Sequence, residues 1–163
     1  MKKLQFSFFL IIILLSCTEG NEIVLDEKTS FNIPEGCKEV EKTLTDIEIY
    51  KSFFENKDSN PMVLYKLLAG SDYLIFIGIG YETSYEEIKN EIIIKSANRI
   101  ISEEYIRDKS FTININRDSL SEITHCLRVL NSGNKYLFSV LNNQKTKNLI
   151  PAKQIIENNI RIK

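Results

Sequence analysis

Tryptophan is absent from these 163 residues, and only one histidine, two methionines, three prolines, three cysteines and six glycines occur. One histidine and scattered carboxylates do not make the His/Cys clusters that a transition-metal site requires, and no Asp-x-Asp-x-Asp calcium loop is present, so no metal or other cofactor is implied. The low glycine and proline content excludes collagenous and low-complexity chains, and the low cysteine content excludes a disulfide-built scaffold. Neither sign of charge dominates: 21 basic side chains stand against 22 acidic ones, for a formal charge of −1. Without a basic excess there is no electrostatic footprint for nucleic acid. A multi-span membrane protein is excluded as well, because the chain has no succession of apolar runs of about 20 residues. With 43% hydrophobic and 26% charged residues, what remains is an ordinary globular chain.

The first 17 residues carry the clearest message. Lys2 and Lys3 precede the stretch Leu4 to Leu15, which is apolar apart from Gln5 and Ser7, and Ser16 and Cys17 follow. The run is shorter than the roughly 20 residues that span a bilayer, so it reads as an export signal removed after residue 16. Residues 17–29 then read as a polar tether and 30–163 as one folded domain, large enough to bury roughly 70% of its unfolded surface. The basic start, apolar run, small residue and cysteine, in that order, resemble the lipobox of bacterial lipoprotein precursors. That resemblance implies lipidation at Cys17: the thiol receives a diacylglyceryl group, the peptide before it is cut away, and Cys17 becomes the first residue. Two or three acyl chains, at about 0.8 kcal/mol per buried methylene, hold far more firmly than one. The membrane is then a partner through the anchor. Thr18, where aspartate could stand, resembles outer-membrane sorting in enteric bacteria, which implies a place in the cell envelope, on the outer membrane and facing periplasm or surface. The alternative is an ordinary secreted protein in which Cys17 occurs by chance.

If Cys17 carries lipid, Cys37 and Cys126 remain, and they are either a disulfide closing a loop of about 90 residues or two buried thiols. His125 and Cys126 are adjacent, but no flanking signature supports a Cys/His nucleophile, and structural packing is the favoured reading. Gly78-Ile79-Gly80-Tyr81-Glu82-Thr83 sits where a dinucleotide fingerprint would, between a strand and a helix. Thr83 replaces the third glycine, however, and Tyr81 and Glu82 bring bulk and negative charge to the phosphate position, so the glycines are read as ending a strand. The acids Glu82, Glu86, Glu87 and Glu91 read as a solvated helix start favoured by the dipole.

The pattern predicts a single α+β domain, mostly antiparallel sheet with about three helices. Ile23–Leu25 can begin a first strand. Phe31 to Gly36 reads as a strand ending in a Pro-x-Gly turn, with Val40 and Leu44 returning as a hairpin. Met62–Leu68 and Tyr73–Ile79 read as a second hairpin, the first arm alternatively a short helix, and the second arm is apolar on both faces as a central strand should be. Ser84-x-x-Glu87 is a capping box before Tyr85, Ile88, Ile92, Ile93, Ala97 and Ile100, with Glu91 and Lys95 spaced for an ion pair. Phe111–Asn116 alternates as a half-buried strand, with Tyr105 and Ile106 in an earlier strand beside it. Ser119-x-x-Glu122, followed by Leu120, Ile123, Leu127 and Leu130, predicts a helix up to Asn131 and Gly133. Lys135–Leu141 reads as a last sheet strand, and Pro151 opens an amphipathic helix through Ile155, Ile156 and Ile160. The segment Phe31-x-Ile33-Pro34-x-Gly36, the antiparallel sheet and the closing helix together resemble small PsbP-like exported domains; no functional residue carries over.

These readings favour a membrane-anchored bacterial lipoprotein that is not an enzyme, a binding or envelope accessory module with an unidentified protein partner. An immunity or inhibitor protein against an exported toxin is the alternative. An envelope hydrolase using scattered carboxylates such as Glu103 and Glu104 is a third reading.

Overall fold

A computed structural model of the chain describes residues 21–56, 62–106, 109–118, 121–130, 132–143 and 151–162. Export segment, Cys17 and much of the loop before residue 62 lie outside them. Every strand pairing is antiparallel. Strand β1 (Glu22–Val24) pairs with β2 (Thr29–Asn32), so residues expected to be tether already belong to the fold. From β2 the chain turns at Pro34–Cys37, where the Cys37 amide donates to the Pro34 carbonyl at 2.9 Å and Gly36 takes φ +80°. That positive φ is one a side chain rarely tolerates, which explains the glycine.

The expected hairpin across this turn does not form. Beyond it the short strand β3 (Lys38–Glu39) pairs with β4 (Val63–Ala69), so the turn passes the chain from one sheet to another. Leu44 opens helix α1 (Leu44–Lys51), because Thr43 and Asp46 make a reciprocal capping box that satisfies the first free amides. β4 and β5 (Tyr73–Gly80) form the second expected hairpin, as strands, and β5 is interior to the sheet as its two apolar faces require. Helix α2 (Tyr85–Ser96) starts at the Ser84 cap and buries Tyr85, Ile88 and Ile92. It stops before Ile100, which begins β6 (Ile100–Ile106). β6 pairs with β7 (Ser110–Asp118), as the alternation predicted.

The segment expected to be a helix near Ser119–Asn131 is instead strand β8 (Ser121–Val129). Ile123 and Leu127 satisfy the helical spacing, but the same residues also fall on one side of a strand. β-Branched Ile123 and Thr124 fit the pleat, and β7 and β9 (Lys135–Asn143) supply ladder partners on both edges. The tertiary ladder overrides the local capping signal. Helix α3 (Ala152–Asn159) follows Pro151, and Ile160 opens a final strand, β10 (Ile160–Ile162), against β2.

The result is a single α+β domain in layers, with three helices among the described residues. A seven-stranded sheet, β3-β4-β5-β9-β8-β7-β6, lies in the middle. One face carries α1 and α2 over an aromatic core of Tyr50, Phe53, Phe54, Phe76, Tyr85 and Phe111. The other carries the small sheet β1-β2-β10 and α3, packed on Phe31, Ile75, Ile77, Phe138, Val140 and Ile156. Both faces of β5 and β9 are therefore buried, whereas β6 is exposed over nearly its whole length.

Candidate functional site

The side chains best suited to chemistry are locked in the core. His125, on β8, is 1% exposed; its Nδ1 lies 2.8 Å from Ser139 Oγ and its ring meets Phe53 edge-on at 5.2 Å. Burial lowers its pKa to about 3, which keeps it neutral. Its neighbour Cys126 faces the opposite side of the sheet, with the Phe31 and Phe138 core, so the two cannot act on one substrate. Burial pushes the Cys126 thiol up to about 11, and Thr112 Oγ1 donates to its sulfur at 3.6 Å. No thiolate is available near neutrality.

Cys37 and Cys126 are both free, so the disulfide alternative is not realised. Cys37 directly precedes β3 at one edge and Cys126 lies on β8, four strand spacings away in the order β3-β4-β5-β9-β8. That is roughly 19 Å, far beyond the 7 Å limit between bridged Cα atoms. The Cys37 thiol instead donates to the Tyr73 hydroxyl at 3.2 Å. Gly78 serves packing: a Cβ there would fall 1.6 Å from the Tyr50 hydroxyl. It lies between antiparallel neighbours, not in the parallel βαβ unit that a dinucleotide fold needs.

The acidic residues serve neighbouring groups. Glu86 pairs with Lys89 at 2.8 Å, and Glu91 accepts from the Asn56 backbone amide at 2.8 Å. Lys95 reaches Glu55 at 3.9 Å, so the ion pair expected between Glu91 and Lys95 is not the one made. Among the described residues no three His, Cys, Asp or Glu side chains gather as a metal site. Glu103 and Glu104, being successive on β6, project to opposite faces and cannot work as a carboxylate pair.

What is open lies at the β6 end of the large sheet. The small sheet and α3 leave β6 uncovered, and a cleft of about 360 Å³ opens beside it, bounded by Glu104, Tyr105, Thr112, Arg128, Lys153 and Glu157. Arg128 donates to the carbonyls of Leu127 at 2.8 Å and Phe111 at 3.4 Å and to Glu157 at 3.2 Å. Lys153 bonds Glu104, which raises the lysine pKa, and lies 3.9 Å from Glu157. Two cations face two carboxylates, and the network fastens α3 to the sheet rather than holding a spare charge for an ion. Beside it a polar ladder crosses three strands: Thr124 donates to Asn114 at 2.8 Å, and Asn114 donates to Ser102 at 2.6 Å.

The rim of this cleft is the outer edge of β6, which has no strand beyond it among the described residues. Its apolar side chains stand in solvent: Ile101 is 51% exposed, Tyr105 42% and Ile106 61%. The Tyr105 hydroxyl donates to Glu103, and Lys89 Nζ sits 4.9 Å from the Tyr105 ring centroid. The sequence held a partial sign of this edge, a short strand without alternation beside a clearly alternating one, but not its position at the end of the sheet.

No family model matches the chain, and no curated protein matches it. A solved structure does: the solution structure of cyanobacterial PsbP (CyanoP) from Synechocystis sp. PCC 6803, with a TM-score of 0.52 over 86% of this chain and 89% of that one. The fold is PsbP-like. At 8% identity this likeness concerns the arrangement of elements alone, and it agrees with the resemblance seen around Phe31–Gly36.

Proposed function

We propose that this chain is a lipid-anchored, non-catalytic binding module of the bacterial cell envelope. The anchor is supported by the order of Lys2, Lys3, the apolar run, Ser16 and Cys17. Thr18 after the cysteine favours the outer membrane. The binding role is carried by one observation: His125 and Cys126 are sealed inside the core, whereas the seven-residue edge β6 and its cleft are open. A tethered domain of this kind meets its partner at a surface rather than converting a substrate in a pocket.

Detergent phase partition of the native protein and of Cys17→Ser, both expressed in a bacterial host, tests the anchor. Native protein is expected in the detergent phase and Cys17→Ser in the aqueous phase or uncleaved in the membrane fraction. Partition of the cleaved native protein into the aqueous phase would overturn the reading.

A further inference from the structure

Resting on the binding-module reading, we infer that β6 accepts an extended, basic segment of a partner protein as an eighth antiparallel or parallel strand of the large sheet. A seven-residue strand with nothing beyond it presents a row of backbone donors and acceptors, a template that proteins ordinarily cover, shorten or charge. At the opposite end of the sheet the two-residue β3 pairs with Leu68 and Ala69 of β4, the Val40 amide donates to the Leu67 carbonyl and Lys42 donates to the carbonyls of Leu64 and Tyr65, so that edge is largely occupied and β6 is left as the long open one. Its exposed Ile101, Tyr105 and Ile106 offer apolar contact on either side of the added strand.

The charges select the occupant. On one face of β6, Glu104 is already neutralised by Lys153. On the other face, Glu103 has only the Tyr105 hydroxyl, and no basic side chain among the described residues pairs with it. Lys89, the nearest cation on α2, is committed to Glu86 and to the Tyr105 ring. A strand laid along this edge therefore gains most by placing lysine or arginine opposite Glu103 and an apolar or aromatic residue opposite Tyr105. A second copy of the chain fits poorly. The only antiparallel register that overlaps all seven residues of β6 sets Glu103 against the Glu103 of the other copy, and like charges directly opposite destabilise a pair. The same carboxylate that deters self-association thus recruits a basic partner.

The probe is a capped seven-residue peptide with lysine at its fourth position and valine at its second and sixth, so that lysine meets Glu103 and valine meets Ile101 and Tyr105, compared with the same peptide carrying glutamate at the fourth position and with the lysine peptide N-methylated at alternate residues. Binding to the folded protein is followed by amide chemical shifts and hydrogen exchange. The lysine peptide is expected to shift and protect the amides of residues 100–106, and the glutamate and N-methylated peptides to bind at least tenfold more weakly. Glu103→Gln, at an exposed position that leaves the fold intact, is expected to shrink the preference for lysine over glutamate several-fold. Equal binding of all three peptides, perturbations centred away from β6, or concentration-dependent dimers in sedimentation would each overturn the inference. Its failure leaves the detergent partition of the native protein unchanged, so the two readings fall separately.

Discussion

At Gly78 one hydrogen atom stands where any other residue would strike Tyr50. The Tyr50 hydroxyl is wholly buried over the central strand β5 and has no hydrogen-bond partner among the described residues, and burial raises its pKa well above the ordinary phenol value. An unpaired buried hydroxyl costs roughly 1–3 kcal/mol, so Tyr50→Phe is expected to be neutral or stabilising in chemical denaturation. Gly78→Ala is expected to lose about 2 kcal/mol or more, and to lose less in the Tyr50→Phe background, because the nearest clash is with the oxygen. Additive losses in that double-mutant cycle would contradict this packing. His125 gives a pH signature. In the folded state its pKa is about 3, against an ordinary value near 6.5. Between those values the unfolded chain holds a proton that the native protein does not, so stability is complete above pH 6.5 and falls as pH drops toward 3. The expected loss is about 2 kcal/mol at pH 5. Denaturation midpoints of native protein and His125→Gln, measured from pH 7.5 to 5, check it: the variant is less stable throughout but has a flatter slope.

Among the elements, α1 depends on a two-residue device. Thr43 accepts from the Asp46 amide at 3.2 Å while Asp46 accepts from the Thr43 amide at 2.8 Å. Thr43→Ala is expected to cost about 1 kcal/mol, seen as a lower unfolding temperature, with Thr43→Ser close to native. The sequence reading missed α1 by placing Leu44 in a hairpin arm, although Thr43-x-x-Asp46 ahead of Ile47, Tyr50 and Phe54 at helical spacing carried the signal. The Pro34–Gly36 turn suggested a hairpin because a turn shows where a chain bends, not which sheet receives it. β8 was misread for the converse reason. Its Ser119-x-x-Glu122 signal and its Ile123 and Leu127 pair suit a helix locally, and only the ladders to β7 and β9 decide otherwise. Elements whose pattern matches their surroundings, namely β5, α2, β7 and α3, were legible. The open edge was not, since being last in a sheet is a property of strand order that no local period records.

At the scale of the whole molecule, the anchor would also orient the domain. Four residues separate Cys17 from Glu22, a span of at most about 18 Å. β1 begins at the end of the fold that carries the 33–37 and 70–72 turns, whereas the 25–28 and 132–134 turns lie at the other end, joined by the hydrogen bond from Ser132 to Asp26 at 3.1 Å. A fluorophore at Ser71 is therefore expected to be quenched by brominated lipids more strongly than one at Ser132, and equal quenching would contradict that orientation. The central claim, a binding domain held to a bilayer through Cys17, meets its most direct test in the intact mass of the native protein extracted from membranes. The account predicts a chain lacking residues 1–16 and heavier than the remaining polypeptide by a diacylglyceryl group, with or without a further acyl chain. A mass equal to that of the whole translated polypeptide, or of a cleaved chain without lipid, would contradict it.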